Sequence, residues 1–176
     1  MKVCEAELEF DFSAAQAVEK LDDPSGLQPH GMQLVDFVIE DSRHLVMLEI
    51  KDPSCQPKGG DAKAMAAIER SRVEFVKKVT NDTLIAHELT PKARDSYTWL
   101  HLMKRDTKPI LYVFLLGTDA LSLDPALLLG FKDRLLGRLR REATLPWARH
   151  YVSDCLVLTE KTWVKAFPQY PLARLS

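Results

Sequence analysis

Two carboxylates interrupt runs that are otherwise apolar: Asp36 in Leu34-Val35-Asp36-Phe37-Val38, and Glu49 in Met47-Leu48-Glu49-Ile50-Lys51. Apolar runs of this length read as strands buried on both faces of a sheet. A carboxylate buried there without a partner is costly, so each acid needs a reason. Side chains two apart on a strand project from one face, which places Glu49 and Lys51 together. Between the runs lie Glu40-Asp41-Ser42-Arg43-His44, and a hairpin is the economical connection. A pivot between Ser42 and Arg43 sets Asp36 opposite Glu49, with Cβ atoms about 5 Å apart. A three-residue loop would shift the register by one and send the two acids to different faces.

Like charges that close repel, and a divalent cation held between them turns the repulsion into a binding site. Carboxylate oxygens suit Mg²⁺ or Mn²⁺, which keep several waters and also take a phosphate oxygen. Lys51 can then orient or help deprotonate the attacking water and stabilise charge at phosphorus. That chemistry is metal-assisted phosphodiester hydrolysis. The competing reading of the same residues is a buried ion pair, with the second acid at a solvated end of the sheet.

Asp36, twelve intervening residues and then Glu49-Ile50-Lys51 closing an apolar strand resemble the motif of the PD-(D/E)XK nuclease superfamily, which includes restriction endonucleases, Holliday-junction resolvases and repair nucleases. The tripeptide acid-x-Lys also occurs at Asp61-Ala62-Lys63 and Asp106-Thr107-Lys108, but only Glu49 lies in an apolar strand with a second acid in the strand before. Val35 stands where the literal pattern has proline. The resemblance covers about residues 13–116. It implies a restriction-endonuclease-like sandwich, an α/β fold with a central mixed β-sheet flanked by helices. It implies too that Asp36, Glu49 and the backbone carbonyl of Ile50 ligate the metal and that Lys51 serves the nucleophile. Many members add an acid from the first helix, a place that Glu19 would fill here. Lys92 and Tyr97 fall on a helix from which some relatives contact substrate.

Elements must be found to position these residues. Cys4, Ala6, Leu8, Phe10 and Phe12 alternate with acids, as on a strand with one dry face. Ser13-Ala14-Ala15-Gln16 has the form of a capping box and predicts a short helix to about Leu21, with Glu19 in it. A loop to Gly31 carries His30, and strands are predicted over residues 32–39 and 45–50. After a loop, Asp61 is placed to cap a long helix whose buried side holds Met65, Ile68, Phe75, Val76 and Val79. Thr90-Pro91 and Asp124-Pro125 each look like an N-cap with proline in the first turn, opening helices to about Lys104 and Glu142. Strands over 110–116 and 151–159 and a helix over 161–167 complete an order of β, α, β, β, α, α, β, α, β, α.

With 176 residues, 46% apolar, the chain suits one domain: a motif core over about 13–116 and a C-terminal extension over about 124–176. A net charge of −1 excludes a globally basic nucleic-acid binder but not a local patch. Arg134, Arg138 and Arg141 recur at helical spacing and could track a phosphate backbone, the alternative being a solvated helix face. Seven glycines and no P-loop argue against phosphate-cradling loops. Cys4, Cys55 and Cys155 form no disulfide or zinc spacing, which predicts a reducing cytoplasm. Met1 to Glu5 lacks the look of a signal peptide. The longest apolar run, 110–116, falls far short of the roughly 20 residues a bilayer needs. The expectation is a cytoplasmic Mg²⁺- or Mn²⁺-dependent nuclease acting on DNA, with no membrane partner. Homodimerisation would supply two sites for two strands. The rival is a catalytically inactive module of the same fold that binds nucleic acid or protein within a larger assembly.

Overall fold

The computed structural model describes residues 1–23, 29, 31–55, 62–119, 121, 123–142 and 144–175. Strands β3 (Ala17–Lys20), β4 (Phe37–Glu40), β5 (Leu45–Lys51), β6 (Ile110–Leu116) and β9 (Asp154–Thr159) form a five-stranded sheet in the order β3-β4-β5-β6-β9. The sheet is mixed. β3 pairs with β4 and β4 with β5 antiparallel, whereas β5, β6 and β9 are parallel. β5 and β6, the central pair, are the sequence's most continuous apolar runs, as burial on both faces demands.

One face carries the helices: α1 (Ala62–Thr80), a π-helical turn (Ile85–Leu89), α2 (Thr90–Leu102) and α3 (Pro125–Leu139). Val38, Leu45, Met47, Tyr112, Phe114 and Cys155 pack towards them, against Leu89, Ala93, Leu100, Phe131 and Leu135. The other face is covered by a three-stranded antiparallel sheet of β1 (Lys2–Glu5), β2 (Leu8–Asp11) and β10 (Leu172–Arg174), with α4 (Glu160–Ala166) beside it. Phe37, Ile39, Val46, Leu48 and Ile50 pack there, among Phe10, Phe12, Trp163 and Tyr170. The period of two therefore sends even positions of β4 and odd positions of β5 to the helical layer. A small hairpin, β7 (Arg141–Glu142) with β8 (Leu145–Pro146), follows α3. The fold is thus mixed α/β, with four α-helices among the described residues. None of their helices is long and apolar enough to cross a membrane.

Several boundaries depart from expectation, each for a physical reason. The expected first helix is absent, and β3 takes its place as an edge strand with Glu19 opposite Val38. Its local capping signal is overridden by pairing with β4 and by the burial that pairing brings to Val18. The opening strand is a hairpin: Ala6, at φ 52°, turns the chain between β1 and β2 and leaves Cys4 exposed. The strand expected from residue 32 begins at Phe37. On α1 only Val79 is buried among the five apolar residues named for its inner side, and Met65 is 45% exposed. α2 opens at Thr90 with Pro91 in its first turn, as expected, but Thr90 does not cap it, because the π-helical turn runs straight into α2 through a helical Leu89. α3 stops at Leu139, so Arg141 lies beyond it in β7. At Asp124 the cap is as expected, its side chain accepting the Ala126 N–H at 2.8 Å. β10 was not foreseen. Asp61 and His30 lie outside the described residues.

Candidate functional site

The β4–β5 register opposes Phe37 to Leu48 and Val38 to Met47. Extended by one residue, it opposes Asp36 to Glu49, as the four-residue loop requires. Both acids face the helical layer. Glu49 is fully buried and Asp36 nearly so. Asp36 Oδ2 accepts the backbone N–H of Ile50 at 2.6 Å. A strand residue's N–H and C=O leave the same edge, so the Ile50 carbonyl faces that side as well.

A lysine from α2 completes the cluster. Lys92 Nζ donates to Glu49 Oε2 at 3.0 Å and stands 3.0 Å from Oε1. It lies 3.7 Å from Asp36 Oδ1 and 3.4 Å from Asp22 Oδ2. Lys51, at the end of β5, approaches Glu49 Oε1 at 3.2 Å from the more open side and reaches Glu88 Oε2 at 3.4 Å. Glu88 in turn bonds Lys78 at 2.8 Å. Neither lysine meets Glu49 Oε1 in hydrogen-bond geometry, so this buried oxygen has close cations but no donor aligned to it.

Burial dominates the electrostatics. It pushes the Glu49 carboxyl from 4.5 up to about 7, with Asp36 adding to the rise and Lys92 and Lys51 opposing it. Asp36 is also raised by burial, against the pull of Lys92 and of the Ile50 N–H. Burial opposes the Lys92 ammonium, but Glu49 and Asp36 outweigh it and hold its pKa above the ordinary lysine value. For Glu88, burial acts upward and is overcome by Lys78 and Lys51, which leave the carboxyl below its usual range.

The fold therefore brings Asp36, Glu49 and Lys51 together. Glu19 sits apart, its carboxylate paired with Arg105. Arg134, Arg138 and Arg141 do share a surface, lining a cavity of about 380 Å³ with Asp82, Ile85 and Ala86. Arg134 is engaged there, Nε donating to Asp82 at 2.7 Å. Tyr97 points to the opposite end of the sheet, where it packs on Tyr151 beside the start of β6. A second acidic group, Glu7 and Asp52 with Cys55, lies near the end of β5. Arg174 already neutralises its carboxylates, and it is no evidence of Mg²⁺.

The sequence marks Lys92 only through the resemblance, as a residue on a helix from which some relatives contact substrate; its contact with Asp36 and Glu49 is not legible there, and Glu88 and Lys78 carry no signal. A π-helical turn adds a residue to the helical repeat, so the facing of Glu88 cannot be read from regular spacing. The donors fit a hard divalent cation: two carboxylates on one face, a carbonyl edge beside them, and a buried Glu49 oxygen without a hydrogen bond. The two lysines nevertheless balance the two acids, and the charge that the residues of the hairpin leave over is compensated in the fold. No protein-family model, no curated protein and no solved structure matches the chain.

Proposed function

We propose that this chain is a metal-dependent nuclease of restriction-endonuclease-like fold that hydrolyses phosphodiester bonds in DNA. The observation that carries the reading is the opposition of Asp36 and Glu49 on one buried face, with Glu49 Oε1 lacking an aligned donor. Asp36, Glu49 and the Ile50 carbonyl hold the metal. A bound Mg²⁺ or Mn²⁺ supplies Lewis-acid polarisation of the phosphate and acidifies a water. Lys51, partly open to solvent and steadied by Glu88, orients that water against phosphorus. The water gives up a proton to solvent as the new P–O bond forms, the bond to the leaving sugar oxygen breaks and that oxygen takes a proton from solvent, while the Lys51 ammonium offsets the charge that develops. Arg134, Arg138 and Arg141 contact the backbone of the strand. A homodimer acting on two strands and a cytoplasmic location belong to the same proposal.

A second reading has its own observation. Lys92 touches both acids, so the chain has a built-in cation for them and could be an inactive nuclease-fold module that binds nucleic acid or protein. Cleavage of labelled single-stranded, double-stranded and branched DNA in Mg²⁺ and Mn²⁺ separates the two. Wild-type cutting that Lys51→Ala loses supports the nuclease. Equal inertness of both proteins favours the module.

A further inference from the structure

Lys92 is not placed like an ordinary surface lysine. Its side chain is only 14% exposed, and its ammonium stands 3.0 Å from each Glu49 oxygen and 3.7 Å from Asp36 Oδ1. A Mg²⁺-sized cation bound by both acids would need oxygens of the same two groups at about 2.0–2.1 Å. The ammonium already fills the space between them, and two cations cannot share it. Lys51 does not compete in this way, because it approaches from the open side and has Glu88 as a second partner.

Lys92 also has somewhere to go. Asp22 Oδ2 is 3.4 Å from the same nitrogen, and the Asp22 side chain is 48% exposed. The ammonium thus has a buried seat at Glu49 and Asp36 and an outer one at Asp22. A long, flexible lysine stem can exchange them without moving α2. We propose that Lys92 is a tethered counter-ion that holds Asp36 and Glu49 together in the metal-free chain, and that a divalent cation displaces it towards Asp22. This rests on the metal-site reading above and adds to it a cost of entry: the metal binds only by expelling a resident charge. It also explains how two opposed acids remain buried in a folded chain before metal arrives.

Calorimetric titration with Mn²⁺ of wild type and Lys92→Gln tests the proposal. Removing a unit charge within 4 Å of the carboxylates should tighten Mn²⁺ binding by about tenfold or more. The Mn²⁺-induced rise in Tm should be larger in the variant as well. A second measurement needs no variant: reductive methylation of the wild-type chain, read by peptide mass spectrometry. The Lys92 amine should be poorly reactive without Mn²⁺ and clearly more reactive with it. Equal or weaker Mn²⁺ binding by Lys92→Gln overturns the counter-ion role while the metal site stands. So does a Lys92 amine whose reactivity Mn²⁺ leaves unchanged. If neither protein binds Mn²⁺, the metal-site reading fails and the displacement fails with it.

Discussion

Asp36 takes over a rung of the sheet from the backbone, its Oδ2 accepting the Ile50 N–H at 2.6 Å. The β4–β5 ladder ends at Phe37 opposite Leu48, and the next acceptor in register would be the carbonyl of Val35. Val35 has already left the sheet, and its own N–H donates to Ser96 Oγ on α2 at 2.9 Å. The Asp36 carboxylate fills the gap while its other oxygen faces Lys92. One side chain therefore closes the hairpin and lines the site.

That double duty predicts the cost of losing it. Asp36→Ala leaves a buried N–H unpaired, and the chain should lose about 1–3 kcal/mol in urea denaturation. Asp36→Asn keeps an oxygen acceptor and should lose less. On the metal-site reading, both should abolish Mn²⁺ binding in calorimetry. An alanine variant as stable as wild type would show that the Ile50 N–H is satisfied in another way.

Glu49 carries a pH signature. Its folded carboxyl is raised from 4.5 to about 7, so between those values the unfolded chain has released a proton that the folded chain retains. Proton release then favours the unfolded state, and the Glu49 contribution to stability is greatest below pH 4.5 and declines as pH rises through 7. Other groups titrate over the same range, so the difference between wild type and Glu49→Gln is the quantity to follow. Denaturant unfolding of metal-free protein should show wild type losing stability relative to the variant from pH 4.5 to 7.5. The span is at most about 3 kcal/mol. A difference that stays flat, or grows in favour of wild type, contradicts the burial assigned to this group.

How far the sequence disclosed this arrangement depends on whether a local or a distant constraint decides each element. The hairpin register was legible because loop length and alternation are local, and both place Asp36 beside Glu49. β5 and β6 were legible as unbroken apolar runs. Residues 13–21 carry a local helix signal, whereas the strand within them, Ala17–Lys20, is imposed by β4. The same holds for β10, whose place is set by a β2 edge more than 160 residues earlier in the chain. For Lys92 the resemblance points to a helix that meets substrate, but its pairing with the two acids depends on where α2 crosses the sheet.

The arginine surface should respond to the release of its internal partner. Arg134 is tied to Asp82, which sits at φ 61°, a conformation that asparagine also tolerates. Asp82→Asn should remove the charge that holds the guanidinium, leaving at most a neutral hydrogen bond, with the turn intact. On the nuclease reading, fluorescence anisotropy with a DNA duplex should then show tighter binding and a steeper salt dependence. Arg134→Ala should weaken binding and reduce the salt slope by about one. If neither substitution moves the affinity, the nucleic acid docks elsewhere or the face is only solvated.

The closing strand offers a test of the fold itself. Arg174 on β10 holds the fully buried carboxylate of Asp52 through two bonds, 2.9 and 3.1 Å, and also bonds Glu7 and Glu160. It thereby ties the last strand to the end of β5, to the turn between β1 and β2, and to α4. Arg174→Ala would leave the buried Asp52 without its cation and with the Ser54 N–H as its remaining donor, at a cost of about 3 kcal/mol in urea unfolding. Arg174→Lys keeps the charge but not the planar fork, so it should recover only part of that loss. Gly117 bears on the same group, because a Cβ there would lie 2.1 Å from Asp52 Oδ1. Gly117→Ala must push the carboxylate off its arginine and should destabilise the chain in the same direction. Combined with Arg174→Ala, it should cost less than the sum of the two alone, since both break one contact. Full additivity would mean that Asp52 and Arg174 do not depend on each other.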